Sequence, residues 1–91
     1  MEAGVRRMGA LSGLPNVGKV LEKNLNDVGI VSPEQLREAG AREAFLKIRL
    51  GVDPGACLHM LYGLEGAVRG VKDTLLDPET RRSLKEFFAK L

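Results

Sequence analysis

The sequence predicts an all-α fold, a compact bundle of about five helices, and three observations predict it. Apolar residues recur three and four positions apart in one segment after another, and no segment alternates with the period of a strand. Three segments open on a capping residue followed by proline: Ser32-Pro33, Asp53-Pro54 and Asp77-Pro78. The chain has 91 residues, enough for one domain with one core but not for two.

Val5, Met8 and Leu11 predict a short first helix over 5–11, preceded by a frayed end at 1–4. Ser12-Gly13 separates it from a hairpin built by Leu14, Pro15, Asn16 and Gly18. Pro15 has a fixed φ and no N–H, while Asn16 and Gly18 are residue types that tolerate a left-handed backbone. Val17, Val20, Leu21, Leu25 and Val28 then mark one helix face, and Gly29 supplies the stop, so a helix is predicted over 17–28. Ser32-Pro33-Glu34-Gln35 opens the next helix with a capping box. Leu36 and Ala39 face inward in it, and Gly40 ends it. Ala41, Ala44, Phe45 and Ile48 give a further stripe, widened by Leu46 and Leu50, that stops near Gly51.

After Asp53-Pro54, the residues Cys57, Leu58, Leu61, Leu64, Val68 and Val71 predict a long, mostly apolar helix at the centre of the bundle. Gly63, Gly66 and Gly70 fall on it, and each is unfavourable by up to about 1 kcal/mol relative to Ala. Close packing against neighbouring helices explains them, with Gly66 as the contact point. Asp77-Pro78-Glu79 starts the last helix, whose Leu84, Phe87, Phe88 and Leu91 lay both rings on the bundle.

Fourteen basic and twelve acidic residues leave a net charge of +2, which admits a local phosphate contact but excludes a strongly basic nucleic-acid binder. Aromatic residues are 4% of the chain with no Trp, so platforms for stacking on unpaired bases are few. A single Cys excludes an intrachain disulfide and fits a reducing compartment. Arg6 and Arg7 precede no apolar run of signal-peptide length, and no segment approaches the roughly 20 apolar residues of a membrane span. A cytoplasmic protein is predicted.

The start of the 17–28 helix offers one binding chemistry. Its first N–H groups lack intrahelical partners, and the helix dipole adds partial positive charge there. Such an end seats a phosphate oxygen, with Lys19 and Lys23 nearby as point charges. Asn16, Val17, Gly18, Lys19 and Lys23 are therefore the candidate nucleic-acid-binding residues, and Leu14, Pro15 and Gly29 shape the hairpin. The alternative is that Pro15, Asn16 and Gly18 only build a turn. Gly18-Lys19-Val20 is no Walker-type loop, since it lacks the preceding glycine and the hydroxyl.

No constellation for catalysis is present, and no enzyme, metal or cofactor is predicted. Cys57 and His59 are two positions apart, which on a helix turns them about 200° from each other. There is no further Cys or His, whereas zinc takes three or four protein ligands. Cys57 reads as a small core residue and His59, off the apolar stripe, as an exposed or edge one. Glu65 is a carboxylate on an apolar helix, and a buried charge must be paired or hydrogen-bonded. It is predicted as a structural polar tie, accepting from a backbone turn or an Arg. Arg6, Arg7, Lys19, Lys23, Arg69, Lys72, Arg81 and Arg82 are interspersed with Glu22, Asp27, Asp73 and Glu79, which predicts a solvated mixture of charges rather than one basic face.

Leu14-Pro15-Asn16-Val17-Gly18-Lys19, Leu25, Gly29-Ile30 and Ser32-Pro33-Glu34-Gln35-Leu36 resemble a helix-hairpin-helix element, as in DNA repair proteins and recombinase N-terminal domains. The usual hairpin has Gly where this chain has Asn16, whose side chain is expected to crowd an approaching phosphate backbone. Over residues 11–91 the wider succession resembles the C-terminal domain of the TfoX family. It comprises Leu14-Pro15-Asn16-Val17-Gly18, Gly29-Ile30, Glu43-Ala44-Phe45-Leu46, Cys57-Leu58, Leu61-Tyr62-Gly63-Leu64-Glu65-Gly66-Ala67 and Gly70. The N-terminal domain of that family has no counterpart here, so the likeness is to the stand-alone form. Where an aromatic residue is common after Gly70, this chain reads Val71-Lys72-Asp73.

The resemblance implies a helix-hairpin-helix, SAM-like fold and a bacterial, non-enzymatic regulatory module related to competence regulators. Two functions follow. One is weak, non-specific contact with a DNA backbone through the hairpin. The other is a SAM-like module that binds another protein or its own copy, which the near-neutral charge and Asn16 favour.

Overall fold

The computed structural model describes residues 10–91, and among them it holds four helices and no strand. They are α1 (Lys19–Asp27), α2 (Pro33–Gly51), α3 (Leu58–Arg69) and α4 (Pro78–Ala89), with short 3-10 turns at Leu11–Gly13 and Asp73–Leu75. The helix predicted over 5–11 lies outside the described residues except at its end, where Leu11 opens a 3-10 turn. About five helices were predicted and four are described, the second of them in two segments. Gly40, at φ 83° and ψ 161°, interrupts α2 at the position where the sequence places a boundary.

Local chemistry sets most helix ends. Gly29 (φ 88°) closes α1 with the paired bonds of a left-handed cap: its N–H donates to Asn26 O, and Ile30 N–H donates to Leu25 O. Ser32 caps α2 by accepting from Gln35 N–H at 3.2 Å, while the Gln35 side chain accepts from Val31 N–H at 2.7 Å. Gly70 (φ 79°) closes α3 in the same way as Gly29, with Val71 N–H on Gly66 O at 2.8 Å. It is therefore the cap of that helix and not a residue within it. Asp77 caps α4, taking Thr80 N–H at 3.1 Å and the Thr80 hydroxyl at 2.6 Å. These two bonds, hydroxyl first, hold its carboxyl below the usual carboxylate range.

Helix α3 packs between α2 and α4, and Leu61, Leu64 and Ala67 meet Phe45, Ile48 and Leu84 in the core. Phe45 and Phe88 stack edge to face with centroids 5.9 Å apart. Arg42 and Arg49 cover the outer sides of Phe87 and Phe88, so both half-buried rings lie against the bundle under cationic lids.

Several placements differ from the prediction. Asp53-Pro54 does not open α3, which begins at Leu58; Asp53 instead closes a tight turn, its carboxylate accepting from Gly55 N–H and its carbonyl from Ala56 N–H, both at 3.0 Å. Helix α1 begins at Lys19, two residues late, because Val17 is buried in the approach to the helix. Its inner arc is Leu21, Asn24, Leu25 and Val28, so Val20 lies about 100° from Leu21 and is 74% exposed. Cys57 is no core residue: it is the exposed N-cap of α3, one position before the buried arc begins. Leu50 and Leu91 are also exposed, as each falls at a helix end beyond the packed arc.

Candidate functional site

The hairpin before α1 is held from several directions. Leu14 N–H donates to Leu11 O and Val17 N–H to Leu14 O, while Glu22 accepts from Leu11 N–H at 3.2 Å. Asn16 is the one non-glycine residue with positive φ (69°) among the described residues, and its amide is turned inward rather than outward. The Asn16 Nδ2 donates to Gly63 O at 3.2 Å and to Val71 O at 3.0 Å, and its Oδ1 accepts from Asp73 N–H at 3.1 Å. The side chain that was expected to crowd a phosphate is instead a bracket joining the hairpin to α3 and to the segment after it. Gly66 makes room for it: a Cβ there would lie 2.5 Å from Nδ2.

Of the five candidate contact residues, two thus work internally. Asn16 is committed to the bracket, and Val17 is buried with its N–H already donating. Gly18 is the N-cap of α1 and supplies no side-chain cap, so the first N–H groups of the helix have no partner among the described residues. Gly18 and Lys19 are exposed. Lys19 pairs with no described acid, whereas Lys23 sits 2.9 Å from Asp27. Leu14 and Pro15 are half-buried in the turn.

Glu65 lies elsewhere, with its side chain 15% exposed and accepting from Arg69 Nε at 2.6 Å. Arg69 also approaches Asp77 at 3.7 Å. Arg81 stacks on Tyr62 at 4.3 Å and donates to Asp73 O at 2.8 Å. These arginines tie α3 to α4 and do not join Lys19. His59 is exposed, 3.7 Å from Asp73 Oδ2. Among the described residues no group of three or more His, Cys, Asp or Glu side chains is placed to hold a metal. No helix of the described residues is long and apolar enough to cross a membrane.

One feature escapes the sequence. Beside the hairpin, Val20, Leu21, Cys57, Met60 and Asp73 line a groove of about 490 Å³. The helical spacing of Val20 and Cys57 puts both on buried stripes, whereas in the structure both are exposed and line the groove.

The family model described as the TfoX C-terminal domain matches residues 7–88. Two solved structures from Listeria monocytogenes are similar: an uncharacterised protein in a triclinic form and a protein of unknown function in a tetragonal form. Each is 47% identical with a TM-score of 0.82 over 85% of this chain, covering 86% and 93% of the respective chains. No curated protein matches.

Proposed function

Because the chain belongs to the TfoX C-terminal domain family, we propose that it is a non-enzymatic, cytoplasmic regulatory module, related to competence regulators, that touches a DNA backbone through a helix-hairpin-helix turn. The observation that carries this reading is the uncapped start of α1. Gly18 supplies no cap to these N–H groups, the Asn16 side chain is out of the way, and Lys19 beside them pairs with no acid among the described residues. A phosphate oxygen takes the Gly18 and Lys19 N–H groups, and Lys19 adds the charge. With no second such hairpin among the described residues and a net charge of +2, contact is weak and independent of base sequence.

The test is fluorescence anisotropy with a short labelled duplex. For about two phosphate contacts the log–log salt slope is about −1.8, so affinity falls roughly twelvefold between about 50 and about 200 mM salt. Lys19→Glu, with its fold checked by circular dichroism, abolishes the signal. Absence of binding at the lower salt removes the DNA reading. The groove and the exposed Val20 favour a second reading, a SAM-like protein-interaction module without DNA binding.

A further inference from the structure

We infer that the face carrying Val20 and the adjacent groove is a self-association surface whose occupant is a second copy of this chain. Val20 is 74% exposed on the rim of a groove walled by Leu21, Met60 and Cys57. The preceding residue, Lys19, is a cation paired with no described acid. Asp73 is the one acid in the groove's lining, its side chain 18% exposed, paired with no Lys or Arg among the described residues and 3.7 Å from His59. One patch therefore offers an apolar knob next to a positive charge and an apolar hollow next to a negative charge. Such a patch is complementary to itself under a twofold rotation. In the pair, Val20 of each copy enters the hollow of the other, and each Lys19 faces the other's Asp73. The contact is small, so the dimer is weak and concentration-dependent. It does not rest on the DNA reading, although both use Lys19 and exclude each other there.

The test is sedimentation equilibrium on the full chain from about 10 µM to about 1 mM. The unsubstituted chain moves from monomer towards dimer across this range. Val20→Asp, Lys19→Glu and Asp73→Lys each weaken association at least about tenfold, with the fold of each checked by circular dichroism. An equimolar mixture of Lys19→Glu with Asp73→Lys regains association, since every facing pair in the mixed dimer is again of opposite sign. Should Asp73→Lys fail to fold, the first two variants decide. A monomer at the highest concentration overturns the inference. So does a dimer that Val20→Asp leaves intact, an open-ended assembly, or a mixture of folded variants that stays monomeric.

Discussion

Replacing Gly66 with Ala removes a helix-interior glycine and, judged by propensity alone, stabilises the helix by about 0.8–1 kcal/mol. The structure predicts the opposite sign. The new Cβ would lie 2.5 Å from Asn16 Nδ2, 2.5 Å from Val71 O and 3.2 Å from Asp73 N. Two of these three are backbone atoms, fixed by the α3 cap and the 3-10 turn after it. The amide has to leave, which removes its three hydrogen bonds, each contributing roughly 1 kcal/mol net. Displacement of backbone adds roughly 1–3 kcal/mol. Set against the propensity gain, the net loss is about 3–5 kcal/mol, or roughly 12–40 °C in Tm for a chain of this size. Gly63→Ala is the matched control: its Cβ would meet only Asn16 Cβ, at 3.5 Å, an ordinary contact. It should leave Tm unchanged or raise it by a few degrees. Thermal unfolding followed by circular dichroism compares the two. If Gly66→Ala melts at or above the unsubstituted protein, the bracket does not hold the hairpin as described.

Gly40→Ala should cost about 1–3 kcal/mol in urea unfolding although nothing lies within 4 Å of the added carbon, because φ 83° with ψ 161° is a region open to glycine almost alone; an unchanged midpoint would refute the strain. Glu65→Gln should lower stability by no more than about 1 kcal/mol, since its partner Arg69 is 46% exposed and one turn away; a loss above about 2 kcal/mol would reveal a tie beyond Arg69. Asp77 has a folded-state pKa below its unfolded value, so its contribution is present above the unfolded value and disappears as pH falls through the lowered folded one. Asp77→Asn should therefore flatten the decline of Tm with acid below about pH 4, and a decline equal to that of the unsubstituted protein would count against this cap.

Three helix ends were legible because their causes are local, whereas Asp53-Pro54 carries the same signal and forms only a turn before α3. Ser32 with Gln35, Asp77 with Thr80, and Gly29 act within four residues of themselves, and each residue type carries its conformational preference wherever it stands. Gly66 was legible as a contact point for a different reason, since a costly residue on an apolar helix needs a compensating contact, but what fills the space is the Asn16 side chain and the backbone after α3, not the neighbouring helix that was expected.

What the sequence by itself determined is an all-α chain of the TfoX C-terminal family, with the helix ends at Gly29, Ser32 and Asp77 in place. Which side of α1 faces inward was decided only by the tertiary structure. Asn24 takes the buried arc and Val20 is left outside, because the arc depends on where α1 lies against its neighbours and not on its own hydrophobicity. The role of Asn16 was also decided there, since its partners are 47 to 57 residues away along the chain. As a hairpin residue it needs only a tolerance for positive φ. As a side chain it is directed by carbonyls and an N–H that folding alone brings within its reach.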